Sequence, residues 1–275
     1  MFQLFDTKQI FLSSSSNNEN VVKRNSTFNS KINFVLPRLI HKNKSILYST
    51  IRLIHAEIPY SFYTINDTNN KLYYKNMNTN ISSTITIPKG NYNANTLASK
   101  LTTLFLPLVV TFNFDNSTGL YSFSCSIQIQ FLFGLNSINN IIGLGNTNYI
   151  TNLNNGVYTL TFPYQLNLLG SRNIYIKANN LVLENLNTNS GERCCLKSIP
   201  INVSPFGLIM YHNSSSAEFI VKNPQVDNLE IEFVDDNNNL INFENQDWSL
   251  TIEIKNVINL NQNFFNSINE YLEQL

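Results

Sequence analysis

The chain of 275 residues carries 18 Lys+Arg against 18 Asp+Glu, is 43% hydrophobic and only 13% charged. A formal charge of zero leaves no basic field to displace phosphate counterions, which excludes sequence-wide nucleic-acid affinity. Aromatics at 12% supply ample surface to bury, so disorder of the whole chain is excluded too.

At this length folding removes roughly 75% of the unfolded surface from water, in one or two domains. Asn occupies 48 positions, so polarity rests on amides and hydroxyls rather than charge. That bias tracks AT-rich coding and carries little chemistry. Cys125, Cys194 and Cys195 are too few and too oddly spaced for a disulfide framework or a zinc cage, which reads as a reducing compartment. Residues 1–10, with Asp6 and Lys8, lack a signal-peptide core, and no apolar run approaches the length of a bilayer span. The Asn-x-Ser/Thr triplets at Asn66, Asn80, Asn116 and Asn213 follow from Asn abundance.

In chain order, residues 1–30 read as an N-terminal arm: residues 13–30 are a run of Ser, Asn and Thr around Lys23 and Arg24 without periodicity. Removing the arm is expected to leave the remainder folded. Strands follow at 32–36 and 46–58. Asn93 caps a helix carrying Leu97, Leu101, Leu104 and Phe105, stopped by Pro107. Val110, Phe112 and Phe114 alternate with polar residues, Asp115 to Gly119 supplies a hairpin turn, and Tyr121, Phe123, Cys125, Ile127, Ile129 and Phe131 read as one half-buried strand. A short helix at 137–142 ends at Gly143. Further strands are expected at 157–169, 173–183, 195–203, 206–211 and 217–222. Leu229, Ile231 and Phe233, then Trp248, Leu250, Ile252 and Ile254, mark the last two. Phe264 or Phe265, Ile268, Leu272 and Leu275 place a C-terminal amphipathic helix at 263–275.

The regular punctuation points to an antiparallel sandwich or barrel. The helices cluster between Asn66 and Tyr149, so the fold class is all-β with a small α+β insertion at 67–149, set within a discontinuous domain of 31–66 and 150–262.

Candidate chemistry is sparse. A catalytic triad would need His41, His55 or His212, yet Gly-x-Ser-x-Gly is absent; His55 reads as a packed strand residue and His212 as a loop residue. Asp235, Asp236, Asn237, Asn238 and Asn239 crowd oxygens without the glycine and distal glutamate of a calcium loop, and read as a hairpin turn. Adjacent Cys194 and Cys195 are not a redox pair, and alternation would put one in the core and one on the surface. Gly143-Leu144-Gly145 lacks a phosphate loop's lysine and reads as a helix stop. Lys71, Lys75 and Lys89 are too sparse to line a single-strand groove. No catalytic, cofactor-binding or metal residue is assigned, no cofactor is expected, and the chain reads as no enzyme.

Certain stretches are familiar in order. Ile58-Pro59-Tyr60-Ser61-Phe62-Tyr63-Thr64-Ile65 comes first; Ile87-Pro88-Lys89-Gly90-Asn91-Tyr92 follows, leading into the leucine helix. Later come the strand at Arg172 to Ile176, Ile199-Pro200-Ile201 with Phe206-Gly207, and the Asp235 turn leading to Asn242, Phe243 and Trp248. This order, spanning roughly residues 10 to 257, resembles the penton (vertex, minor capsid) proteins of virophages, polinton-like elements and eukaryotic large DNA viruses. The apolar tail after Asn263 departs from that pattern. Each motif also has a plain structural role, since proline ends strands and Gly90 permits a tight turn.

The resemblance implies a single jelly-roll sandwich. It implies a homopentamer at the icosahedral vertex of a virion, beside major capsid protein capsomers, assembled in the host cytoplasm or a viral factory. The arm would tie it to the capsid interior or a membrane, the insertion would crown or tilt the roll outward, and no sequence-specific nucleic acid is implied. The alternative is a fibre or spike head on a jelly roll, binding a host receptor or glycan.

Overall fold

A computed structural model describes residues 3–15, 21–24, 29–40, 46–106, 108–181, 194–213, 218–222 and 225–259. The chain forms two compact units, Met1–Phe62 with Ser171–Leu275, and Tyr63–Gly170. The first unit opens with β1 (Gln3–Ser13), β2 (Val21–Arg24), β3 (Lys31–Ile40) and β4 (Ile46–Pro59). The second holds β5 (Lys71–Asn76), β6 (Ile81–Thr86), α1 (Ala94–Leu104), β7 (Val110–Asp115), β8 (Leu120–Cys125) and β9 (Ile129–Leu132), then α2 (Asn139–Ile142), β10 (Tyr149–Ile150), β11 (Asn152–Asn154) and β12 (Val157–Thr161). The chain returns to the first unit in β13 (Asn173–Ala178), β14 (Cys195–Pro200), β15 (Leu208–His212), β16 (Phe219–Val221), β17 (Val226–Val234) and β18 (Ser249–Asn259).

In the first unit one sheet runs β1-β18-β4-β15, with β16 also on β4, and the other runs β14-β13-β17-β3-β2. Take β15 and β16 as one interrupted strand and β2 as an appendage to β3. Eight strands then remain, and in chain order their sheets read 1-8-3-6 and 2-7-4-5. All pairings are antiparallel, and this interleaving is the double Greek key of a jelly roll.

Alternation explains the layers. Leu250, Ile252 and Ile254 of β18 and Ile51, Leu53, Ala56 and Ile58 of β4 are buried, facing Ile32, Phe34, Leu229, Ile231 and Phe233 across one core. Strict alternation in β4 would turn His55 and Glu57 inward after Leu53. The ladder shifts between Thr251 and Ile252, inserting Ile54 as an extra residue, so Ala56 and Ile58 face the core and the two polar residues do not. Trp248 closes the core against Phe233 at 4.5 Å and Phe34 at 6.1 Å, and its indole N–H donates to the Asn29 carbonyl at 2.7 Å.

The second unit is itself two four-stranded sheets, β10-β9-β5-β6 and β11-β12-β8-β7. Phe131 on the first meets Phe123 on the second at 4.9 Å, with Phe105, Phe112 and Phe162 around them. Helix α1 begins in a capping box: Thr96 N–H donates to Asn93 Oδ1 at 2.9 Å and Asn93 N–H to Thr96 Oγ1 at 3.0 Å, a cap that contributes about 1 kcal/mol. Gly143 ends α2 at φ 88, where a Cβ would lie 2.0 Å from the Tyr164 carbonyl oxygen, so no side chain fits.

Several expectations change. Residues 3–13 are a paired strand, in unbroken register with β18 from Gln3 opposite Asn259 to Ser13 opposite Ser249. An edge strand exposed through Asp6 to Gln9 shows no alternation there, which hides it from sequence reading. The segment 121–131 is two strands in different sheets. The bend at Ser126 to Gln128 preserves period two while redirecting the chain, so periodicity does not reveal the break. The inserted unit extends over Tyr63–Gly170, past 67–149, and its regular structure is more strand than helix: β11 and β12 complete its second sheet. The strand expected at 173–183 stops at Ala178, where Leu181 N–H turns back to the Ala178 carbonyl. The expected helix at 263–275 lies outside the described residues.

Deleting residues 1–13 should strip eleven paired positions from β18 and uncover Leu12's place in the core. A loss of about 2 kcal/mol or more in chemical denaturation is expected, and an unchanged midpoint would contradict the assignment of β1. In the β7–β8 turn, Asp115 accepts from Ser117 Oγ at 2.7 Å, Thr118 Oγ1 at 2.7 Å and Ser117 N–H, which lowers its carboxyl to about 2. Stability from this depressed group is present above pH 3.8 and lost as pH falls through about 2. NMR titration of the carboxyl should find its midpoint near about 2; a midpoint at the ordinary 3.8 would remove the turn's hydrogen bonds from the account.

Candidate functional surfaces

The sequence candidates do not converge. His55 on β4 lies opposite His212 on β15, their rings 5.8 Å apart and edge-on, and His55 Nε2 stands 3.4 Å from Glu57 Oε1. His212 is therefore a strand residue, one position before the chain leaves β15, and His55 lies half-buried on the outer face of the sheet. Ser249 Oγ donates to the other oxygen of Glu57 at 3.2 Å. Both hydroxyl and imidazole thus address the carboxylate, whereas a nucleophile must hydrogen-bond to its base. His41 lies outside the described residues.

The Asp235 to Asn239 stretch is a closed turn. Asp235 Oδ1 accepts from the N–H groups of Asn237 and Asn239, each at 2.8 Å, and Asp236 Oδ2 accepts from Arg172 N–H at 2.6 Å. Asn238, at φ 65, accepts from Lys177 Nζ at 2.5 Å. These oxygens are spent on the turn itself and on tying it to β13 and the Arg172 that precedes it. Among the described residues, no three His, Cys, Asp or Glu side chains gather to hold a metal ion.

Cys194, the residue before β14, is buried, and Cys195, the first residue of β14, is half-buried. Burial pushes the Cys125 thiol upward, away from the reactive thiolate. Tyr121 is likewise raised by burial while donating to the Ala94 carbonyl at 2.6 Å. Lys71 reaches Thr86 Oγ1 and Lys89 reaches Asp67, so neither joins a basic groove.

What the structure assembles instead is a pair of stitched outer faces and a pair of free edges. On the first sheet, Arg52 grips Glu253 through Nε at 2.8 Å and Nη2 at 2.7 Å, and Glu253 also accepts from Gln9 on β1. On the second, Lys31 lies between Glu230 at 2.9 Å and Glu232 at 3.3 Å. The hydrogen bond to Glu230 holds the Lys31 ammonium above the ordinary lysine range despite partial burial. Among the described residues, no strand covers the far side of β1 or of β15. Phe11 projects from β1, and Phe206, Leu208 and Met210 project along β15 with Ile209 turned into the core. Sequence reading missed both edges: β1 shows no alternation over Asp6 to Gln9, and the exposed apolar residues of β15, at period two, look like those of any other strand. No helix among the described residues is long and apolar enough to cross a membrane.

No protein-family model matches the chain, and no curated protein matches it. Among solved structures, one from the Sputnik virophage, determined by cryo-EM, is similar over 92% of this chain and 98% of that chain, at 12% identity and a TM-score of 0.40. The mavirus penton protein is similar over 90% of this chain and 99% of that chain, at 10% identity and a TM-score of 0.45.

Proposed function

We propose that the chain is a structural capsid protein that forms the pentameric vertex of an icosahedral virion, beside capsomers of a major capsid protein. The observation that carries this reading is the jelly roll with two unlike edges on one sheet, β1 and β15, that no other strand among the described residues covers. Cyclic closure requires a heterologous interface, in which one edge meets a different edge of the next copy. Here β1 and β4 run one way and β18 and β15 the other. A like-oriented copy therefore brings its β1 antiparallel to β15, and the ladder can continue across the boundary. The exposed Phe11 and the Leu208–Met210 stripe supply apolar contact at that seam. The motif order agrees with the reading, and an interface with few charges avoids the cost of desolvating unpaired ones.

Sedimentation of the purified chain should give pentamers. Trimers would favour the fibre-head alternative, and a monomer at all concentrations would contradict the vertex reading. Phe11→Asp and Met210→Asp should each block ring closure. An equimolar mixture should yield dimers, because one intact edge remains on each partner; failure of either substitution to weaken assembly would dismiss these edges as the seam.

A further inference from the structure

One end of the second unit is built from turns that expose aliphatic side chains and carry no charge. Residues 125–129 leave β8 and enter β9, so both sheets share that end. There Val110 pairs with Cys125, Cys125 with Tyr158 and Tyr158 with Leu153. In the other sheet Asn76 pairs with both Ile129 and Ile81. Met77 N–H donates to the Gln128 carbonyl and Thr151 N–H to that of Ile129, tying the turns together. The chain enters and leaves the unit at the opposite end, where Ile65 bridges Gly90, Leu166 N–H donates to the Gly119 carbonyl, and Gly170 lies against Thr64.

From this crest project Ile81, Leu106, Val109 and Leu153, exposed to 60%, 70%, 77% and 63%, flanked by Ile150 and Val157. Residues 76–81, 105–110, 125–129 and 150–157 contain no Asp, Glu, Lys, Arg or His. Of the unit's six charged residues, Asp67, Lys71, Lys89 and Asp115 belong to the entry end and Lys100 to α1. Only Lys75 comes close, one residue before the β5–β6 turn.

We propose that this crest is a docking surface for an electrically neutral lipid bilayer, of the phosphatidylcholine type. Charge complementarity decides the occupant. A surface without ionised groups has none to desolvate as it enters the headgroup region, and it has no cations with which to select anionic lipids. Specific protein interfaces concentrate Trp, Tyr and Arg, whereas the crest's prongs are Ile, Leu and Val on separate turns. Asn, Thr and Ser between the prongs suit the headgroups, while the half-buried Tyr158, paired with Leu153, and Tyr149, next to Ile150, are amphipathic aromatics of the kind found at membrane interfaces. Backbone groups in the turns limit entry to the interface itself. The inference stands apart from the vertex reading, because it concerns the single chain.

The test is flotation of the full chain with phosphatidylcholine vesicles. Binding should resist added salt and fall roughly tenfold or more in a double Leu106→Asp, Val109→Asp variant whose melting transition is unchanged. Leu135→Asp, an 82% exposed leucine away from these turns, should bind normally. Failure to float, equal flotation of the double variant, or salt-sensitive binding confined to anionic vesicles would overturn the proposal. So would an oligomer that the double variant dissolves, which would make a second copy the occupant.

Discussion

The antiparallel ladder between β4 and β18 is the constraint on which the first unit depends. It joins Ile46 opposite Ile258 to Glu57 opposite Ser249, so residues some two hundred positions apart must meet before either can be covered. Each neighbour attaches to one of these two strands: β1 to β18, and β15 and β16 to β4. Their inner faces form one wall of the core, and the extra residue at Ile54 lets that wall stay apolar while His55, Glu57 and Arg52 remain outside. Such long-range closure is entropically costly and slow, and it is offset by an almost continuous row of fully buried Ile, Leu and Phe side chains.

The chemistry of the surface follows from how few charges are available. Those on the outer faces neutralise one another locally, as in Arg52 with Glu253 and Lys31 with Glu230 and Glu232. Among the described residues, the sheet edges add unpaired backbone with apolar side chains beside it, and the turns add amides.

The strands whose apolar and polar residues alternate were legible, as in Trp248 to Ile254 and Leu229 to Phe233; so was α1, whose Asn93 cap and leucine spacing are both local signals. Strand order was not legible, since pairing across hundreds of residues leaves no local mark. The edge strand β1 was hidden for lack of a second neighbour, and the break within 121–131 was hidden because both halves keep period two. The abundance of Asn was the most misread feature. Among the described residues, six of the eight non-glycine residues at positive φ are Asn, including Asn80, Asn155 and Asn238, in a chain with only nine glycines. Asn tolerates the left-handed region and bonds its own backbone, so it supplies the turn chemistry that glycine usually provides. His55, Asp235 and the cysteines are individually suggestive types, and only geometry shows their partners: His55 meets His212 across the ladder to β15, whereas Asp235 bonds within its own turn.

The most direct test of the account is an image reconstruction of the assembled protein at a resolution that traces strands. The account predicts fivefold rotational symmetry with β1 of each copy lying antiparallel to β15 of the next. A ring of another order, or a fivefold ring in which those two strands point away from the contact, would contradict it.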